Sequence, residues 1–303
     1  MRLKAEELSN KIPSLYVKAD RIANTIWEGM HNRNKDGLGD NFWQFRKYEY
    51  GDPAHLIDWK KTAKSNETFI QEKELQTLQN FVIWRDTSKS MNFRSSESID
   101  TKLYRANLFT LTLTIILSKS GENIVLNGLK TELLKGGNAV NFVSNQINEK
   151  VTDSYKSRPN INEIKNNSDV ILIGDFLNNI NETEKTIKEL SNRGINGIII
   201  QILDPAERFF PYKGRINFNG LEGEKNILIG KAESVRNDYK KAIKMHIEKL
   251  EKLTTSYSWK YFLDTSDQEA SISLQQICNS VSYTHLRAHE TDSYLVCRLL
   301  REK

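Results

Sequence analysis

Residues 81–93 read FVIWRDTSKSMNF, and this stretch decides the fold. A run of large apolar residues, Phe81–Trp84, leads into Asp86, Ser88 and Ser90. Such a run is typical of a buried strand. Because side chains alternate along an extended chain, the three polar residues lie on one side and their oxygens could converge on one cation. Asp and Ser are also common turn and capping residues, so an ordinary turn is the alternative interpretation.

Apolar runs alternate with helical patterns over residues 76–280. The runs VILIG and GIIIQIL are apolar throughout, as strands covered on both faces should be. The expected strands are Phe81–Trp84, Ile124–Leu129, Val170–Ile173, Gly197–Leu203 and Trp259–Leu263. The expected helices are Lys102–Ser118, Ala139–Lys150, Glu182–Arg193 and Glu233–Leu253. This alternation predicts an α/β fold with a doubly wound, mostly parallel sheet and helices on both faces.

Three segments stand outside this alternation. Residues 1–75 are polar and aromatic-rich and are expected to form an N-terminal extension with a helix near Leu15–Trp27. Residues 205–230 are expected to be an inserted loop or hairpin. Residues 281–303 include VSYTHLRAHET and LVCRLL, which back-translate into DNA that resembles a sequencing-library adapter and its tail. We interpret this segment as a non-native tail, with a natural tail as the alternative, and expect the true C-terminus to differ from it.

The composition is that of a globular protein with a mildly basic balance. The formal net charge of +5 is too small to imply a nucleic-acid partner by itself. Without the tail, Cys278 is the only cysteine, which excludes an internal disulfide and a cysteine-based zinc site. The start of the chain has no apolar signal-peptide core, and the most apolar stretch, Leu108–Leu117, is about half a membrane span. These features predict a cytoplasmic protein with no membrane span.

Asp175 follows the run VILIG, as Asp86 follows the first expected strand. Ligands of open α/β sheets bind beyond the carboxyl ends of the strands, where the strand order reverses. If residues 131–134 form a short third strand, a 3-2-1-4-5-6 order places Asp86 and Asp175 on neighbouring strand ends. Two carboxylates and two hydroxyls there suit Mg²⁺ or Mn²⁺.

Asp86-x-Ser88-x-Ser90 with Asp175 resembles the metal-ion-dependent adhesion site of von Willebrand factor A domains. The segment NFWQFRKYEYGDPAHLIDWKKTAKSNETFIQEKE is similar to the signature of domain-of-unknown-function family 58, R-x-Y-x-x-G-D…I-D-W…A…V-x-E. The matching residues are Arg46, Tyr48, Gly51, Asp52, Ile57, Asp58, Trp59, Ala63, Ile70 and Glu72. LDPAERFFPYKGRINFNGLEG and SWKYFLDTSD also resemble later segments of that family, so the resemblance covers about residues 20–280.

The resemblance implies a von Willebrand A-like fold and a partnership with a MoxR-type AAA+ ATPase, in maturing or remodelling a client protein that the sequence does not identify. It implies no catalytic activity. By the adhesion-site pattern, Ser88 and Ser90 bind the metal directly, and Asp86 and Asp175 bind it directly or through water. A carboxylate of the partner completes the coordination. The threonine of the pattern has no clear match, and Asn138 stands at about its place.

The family signature also supplies a candidate interaction surface, formed by Arg46, Asp52, Asp58 and Trp59. Two interpretations are open: Trp59 is buried and Asp58 pairs with a basic neighbour such as Arg46, or the residues contact the ATPase. The acids of this segment do not match the order of a metal nuclease, because Glu72 and Lys73 are adjacent.

Another acidic pair, Asp204 and Glu207, follows a strand end. It is explained either by turn chemistry or by a place beside Asp175.

Three functional hypotheses follow from the sequence. The first is a non-enzymatic, metal-dependent protein-interaction module that acts with a MoxR-type ATPase. The second is a Mg²⁺- or Mn²⁺-dependent hydrolase that uses Asp86 and Asp175. The third is a metal-free scaffold in which the Asp-Ser-Ser segment is only a turn.

Overall fold

The computed structural model describes residues 2–33, 42–65, 67–73, 79–129, 133–148, 157–220 and 226–280. The chain divides into two compact units: residues 28–78 form the smaller unit, and residues 1–27 with residues 79–303 form the larger. The proposed adapter-derived tail, residues 281–303, lies outside the described residues.

A five-stranded parallel sheet is the centre of the larger unit. Its strands are β3 (Asn80–Arg85), β4 (Asn123–Leu126), β5 (Ser168–Gly174), β6 (Gly197–Leu203) and β9 (Lys260–Thr265), in the order β4-β3-β5-β6-β9. The strand order reverses at β3, which pairs with β4 on one side and with β5 on the other. The predicted α/β fold class and its parallel sheet are confirmed.

Helices cover both faces of this sheet. The helices outside the short α2 of the smaller unit are α1 (Arg2–Arg33), α3 (Lys102–Lys119), α4 (Gly136–Asn148), α5 (Ile180–Asn192), α6 (Pro205–Phe209) and α7 (Ala232–Ser256), and residues 270–280 are also helical. On one face Val82, Trp84 and Leu172 share a buried cluster with residues of α5 and α7. The alternate residues Phe81 and Ile83 are equally buried, on the face that α3 covers. Burial on both faces explains why these strands are apolar throughout.

The second strand of the sheet ends earlier than its sequence predicts. The expected strand ran to Leu129, but β4 ends at Leu126. Asn127 and Gly128 follow in a turn, and Gly128 has φ +81°, which is costly for other residues. On the outer side of β4, Leu134 forms an antiparallel bridge with Ile124. Counted as a short strand, Leu134 completes the predicted 3-2-1-4-5-6 order; residues 130–132 lie outside the described chain.

The segment 205–230 contains a small antiparallel hairpin. Its strands are β7 (Ile216–Phe218) and β8 (Ile227–Ile229), and α6 precedes them. Phe210 lies against Tyr212, Phe218 and Tyr239 of α7, with ring centroids 4.7–5.8 Å apart. The contact between Phe210 and Tyr239 holds the hairpin segment to α7.

The smaller unit is built on a two-stranded antiparallel sheet of β1 (Phe42–Lys47) and β2 (Phe69–Lys73). The short helix α2 (Trp59–Thr62) lies between these strands in sequence, and Asp58 caps it by accepting a hydrogen bond from the Lys61 amide. Among the side chains of this sheet whose burial the structure describes, those of residues 45–47, 69 and 70, Ile70 is the buried apolar one.

In the part of the chain that the structure describes, no helix has both the length and the apolar character needed to cross a membrane.

Candidate functional site

The carboxyl ends of β3 and β5 meet where the strand order reverses. The Asp86 amide donates to the Ile173 carbonyl at 2.8 Å, which extends the pairing of the strands by one residue. Gly174 is needed here, because a Cβ at this position would lie 3.0 Å from the Cβ of Asp86. The two strand ends therefore bring Asp86 and Asp175 to one edge of the sheet, as predicted.

A chain of hydrogen bonds joins the four residues predicted as metal ligands. Oδ1 of Asp86 accepts from the Ser88 amide at 2.7 Å, and the Oγ atoms of Ser88 and Ser90 lie 3.0 Å apart. The Ser90 hydroxyl donates to Oδ2 of Asp175 at 2.8 Å, which fixes the direction of that bond because a carboxylate only accepts. Asp86, Ser88 and Asp175 are 3–6% exposed. The sequence pattern was thus sufficient to find a connected, buried polar cluster.

Lys102 is a member of this cluster that the sequence analysis did not identify. Its side chain is fully buried, and its Nζ lies 2.9 Å from Oδ2 of Asp175 and 2.6 Å from Oε1 of Glu207. Oδ2 of Asp175 therefore accepts from both Ser90 and Lys102. One signal in the sequence was available: Lys102 begins α3, and the helix macrodipole disfavours a cation at that end.

The charges of Lys102 and Glu207 depend on each other. Burial by itself lowers the pKa of Lys102, but Asp175 and Glu207 outweigh it, so that the pKa is raised and the ammonium form is stabilised. Burial raises the pKa of Glu207, and the Lys102 ammonium opposes that change. Buried charges persist only when they are paired, and this lysine is paired twice.

Both interpretations of the acidic pair Asp204 and Glu207 apply, because the pair forms a turn and Glu207 also reaches the Asp175 cluster. Asp204 caps α6 by accepting from the Ala206 amide at 2.7 Å, and Glu207 completes a capping box by accepting from the Asp204 amide at 2.9 Å. The other carboxylate oxygen of Asp204 accepts from the Ser95 amide at 2.9 Å, which links the segment after β3 to the end of β6. Glu207 uses its other oxygen for Lys102. The turn therefore aims Glu207 at the Asp175 cluster.

Two side chains hold the backbone around Asp175. Gln201 of β6 donates from Nε2 to the Asp175 carbonyl at 2.7 Å. His246 of α7 lies with Nε2 at 2.7 Å from the Phe176 carbonyl, and this nitrogen must carry a hydrogen because a carbonyl only accepts. Phe176 has φ +48°, a conformation that is costly for a residue with a side chain. His246 thus supports the strained residue next to Asp175.

The family described as "Protein of unknown function DUF58" matches residues 44–249. This chain belongs to the DUF58 family. No curated protein matches it.

Solved structures show distant likenesses to this DUF58 chain. The conserved hypothetical protein BatB from Bacteroides thetaiotaomicron is 13% identical, with 68% of this chain and 99% of that chain covered and a TM-score of 0.40. An aerotolerance-related membrane protein from Bacteroides fragilis, with multiple mutations to serines, is 13% identical, with 67% and 97% covered and a TM-score of 0.41. An uncharacterized membrane spanning protein from Vibrio fischeri is 14% identical, with 68% and 98% covered and a TM-score of 0.20.

The DUF58 site has the oxygen ligands that Mg²⁺ and Mn²⁺ prefer, but it does not fit either ion as it is arranged. An ion bound to Oδ2 of Asp175 at about 2.1 Å would lie within roughly 5 Å of the Lys102 ammonium. At an effective dielectric constant of about 20, the repulsion between these charges is on the order of 6 kcal/mol. Among the described residues, no cluster of three or more carboxylate, histidine or cysteine side chains has metal-binding geometry.

Asn138, the suggested replacement for the missing threonine, lies apart from this chain of contacts. It is exposed in the first turn of α4. The hydrogen bonds that join Asp86, Ser88, Ser90 and Asp175 do not include it.

The candidate interaction residues of the smaller unit do not match the first of their two interpretations, in which Trp59 is buried and Asp58 pairs with Arg46. Arg46 pairs with Asp52 at 2.9 Å, and Asp58 caps α2 instead of pairing with Arg46. Trp59 is 67% exposed, so the prediction that it is buried was wrong. As the first residue of a one-turn helix, Trp59 has few neighbours that could cover it, whereas Asp58 is fixed by the Lys61 amide. The exposure of Trp59 is compatible with contact to a partner.

Proposed function

We propose that this DUF58 chain is a non-enzymatic protein-binding module that docks a MoxR-type AAA+ ATPase and acts with it on other proteins. Membership of the family supports the proposal, because the resemblance to domain-of-unknown-function family 58 implies such an ATPase as partner. The docking face in this proposal is the edge of the sheet that holds Asp86 and Asp175.

The observation that carries the proposal is a set of exposed apolar side chains after successive strand ends. Leu129 follows β4, Leu177 follows β5 and Phe209 follows β6, and they are 51%, 36% and 50% exposed. We call these three residues the apolar rim. Because the strands are parallel, their carboxyl ends share one edge of the sheet, on either side of the Asp86 segment. Exposed large apolar side chains that follow strand ends on one edge of a sheet offer a partner protein apolar surface to bury.

Direct binding to a purified MoxR-type ATPase from the same genome tests the docking face. We expect the double substitution Leu177→Glu and Phe209→Glu to weaken binding by about tenfold or more, because each change places a charge in a desolvated contact. Met245→Glu is the matched control, since Met245 is 55% exposed on α7 and is not a member of the apolar rim. Equal binding by the wild type and the double variant would rule out the apolar rim as the docking face.

Arg46, Asp52, Asp58 and Trp59 form a second proposed contact with the ATPase. Trp59 is the residue of this group with the largest exposed apolar surface, and tryptophan often dominates binding energies at interfaces. Trp59→Ala should weaken binding several-fold while the melting temperature stays near that of the wild type. Unchanged affinity would leave this surface without a role in docking.

The Mg²⁺ or Mn²⁺ dependence predicted from the sequence stays a prediction. The same binding measurement tests it when it is repeated with a chelator. Loss of ATPase binding in the chelator would support a metal at the site, and unchanged binding would support docking without one.

A further inference from the structure

Lys102 places a permanent positive charge inside the cluster that resembles a metal site. It is fully buried, and its ammonium group contacts two carboxylates, that of Asp175 directly after β5 and that of Glu207 in α6. Its position is well fixed, because Thr101 caps α3 by accepting from the Tyr104 amide at 3.1 Å. The Lys102 amide also donates to the Phe93 carbonyl at 3.4 Å.

The ammonium contacts one of the four predicted metal ligands, Asp175, and a second carboxylate, Glu207. It shares Oδ2 of Asp175 with the Ser90 hydroxyl, and Ser90 in turn contacts Ser88. It also contacts Glu207 of α6, which the predicted metal site did not include. A cation in this position removes the repulsion between the two carboxylates and is covalently part of the chain, so its occupancy does not depend on the ion concentration.

We propose that Lys102 supplies the positive charge of this site in place of a divalent cation, so that the site is assembled without metal. The chemistry is that of an internal ion pair, in which one ammonium group takes the role of Mg²⁺ or Mn²⁺. This inference does not rest on the proposed ATPase partner, since it concerns how the chain itself neutralises Asp175 and Glu207.

Titration of the full chain with Mn²⁺ alone tests the proposal, with calorimetry and the electron paramagnetic resonance of free Mn²⁺ as readouts. The wild type should bind no Mn²⁺ that depends on Asp86, and its melting temperature should be the same in Mn²⁺ and in a chelator. Lys102→Met should gain a Mn²⁺ site, because Asp175 and Glu207 then lack a cation. Its melting temperature should rise with the Mn²⁺ concentration, since ligands that bind the folded state stabilise it.

Two further variants keep the result interpretable. Lys102→Met combined with Glu207→Gln removes one charge of each sign, so it should fold even if Lys102→Met alone does not, and it should also gain the site. Arg105→Met is the matched control, because Arg105 is a buried cation of the same helix that pairs with Asp264 instead of Asp175. It should gain no Mn²⁺ site.

Two outcomes would overturn the proposal. One is Mn²⁺ binding by the wild type that is lost in Asp86→Ala. Because only binding at this site depends on Asp86, the variant also distinguishes it from Mn²⁺ bound elsewhere on the chain. The other is failure of both Lys102 variants to bind Mn²⁺ more tightly than the wild type. Neither outcome depends on the ATPase binding measurement, so the two proposals fail independently.

Discussion

At the scale of single residues, two buried cations fix the position of α3 on the sheet. Lys102 and Arg105 lie one turn apart on α3, and each is paired with a carboxylate from a distant strand. Arg105 donates to both oxygens of Asp264 at 2.8 and 2.9 Å, and Ser273 donates to Oδ1 of Asp264 at 2.6 Å. These pairs fix α3 over the sheet in one register, because a shift along the strands would leave the charges unpaired.

Asp175→Asn should destabilise the chain by about 3 kcal/mol, since it leaves the Lys102 ammonium with Glu207 as its one carboxylate partner in the cluster. Urea unfolding measures the change. Asp238→Asn is the control, because Asp238 is exposed on α7 and should change stability by no more than about 0.5 kcal/mol. If the two variants unfold at the same urea concentration, the Lys102–Asp175 pair contributes little.

Cys278 should resist alkylation in the folded chain. Burial raises the pKa of its thiol from 9.0 to about 12, so the thiolate fraction at pH 8 is roughly a thousandfold lower than in an ordinary thiol. Mass spectrometry of the Cys278 peptide after iodoacetamide treatment measures the rate in native and urea-unfolded protein. Similar rates in both states would contradict the burial of this thiol.

The same shift in pKa has a consequence for stability. The folded state holds the Cys278 proton more tightly than the unfolded state, so the contribution is complete below pH 9 and decreases as the pH rises towards 12. Cys278→Ser should remove this part of the decrease, which unfolding measurements between pH 8 and 11 would detect.

At the scale of elements, close packing decides where glycine is required. Gly197 begins β6 directly under the ring of Trp259, and a Cβ there would lie 2.4 Å from the ring carbon Cζ3. Trp259 is 3% exposed, so its ring cannot move into solvent without opening the core. This contact joins β6 to the start of β9 and explains why a strand of otherwise large apolar residues begins with glycine.

Gly197→Ala should destabilise the chain by about 2 kcal/mol, because the added methyl group overpacks the core against Trp259. The matched variant is Gly137→Ala in α4, where a Cβ meets nothing within 4 Å. It should be neutral or stabilising by about 0.5–1 kcal/mol, since alanine favours the helix. Thermal or urea unfolding measures both changes. Equal effects on stability would show that the Trp259 ring can move to make room for the added methyl group.

At the scale of the whole molecule, the two compact units differ in what holds them together. The larger unit has a five-stranded sheet buried on both faces. The smaller unit has a two-stranded sheet in which Ile70 is buried, and it carries ion pairs such as Arg46–Asp52 and Lys47–Glu67. Surface ion pairs add little stability, and an isolated pair of strands is marginal.

Hydrogen exchange should therefore separate the two units. We expect the amides of β3, β5 and β6 to exchange only through global unfolding, and those of β1 and β2 to exchange orders of magnitude faster through local opening. Peptide-resolved mass spectrometry measures both sets in one experiment. Equal protection would mean that the smaller unit opens only together with the larger one.

The sequence by itself determined the sheet, its parallel direction and one half of the site. Apolar runs such as VILIG are typical of strands covered on both faces, and strands that alternate with helices favour a parallel sheet. The Asp-x-Ser-x-Ser spacing also indicated that Asp86, Ser88 and Ser90 lie together, but the expected extended chain was wrong: β3 ends at Arg85, and Ser90 lies in a 3-10 turn, Lys89–Asn92, that Ser88 begins. The edge at which Asp175 joins them follows from the strand order.

The tertiary structure alone decided which charge neutralises this site. Lys102 is 73 residues from Asp175 and 105 from Glu207, and no local pattern relates them. Whether a lysine at a helix start points to solvent or into a cluster depends on how α3 and α6 pack over the strand ends. The exposure of Trp59 was likewise outside the reach of the sequence, because an aromatic residue in a short helix is covered only if another segment packs on it.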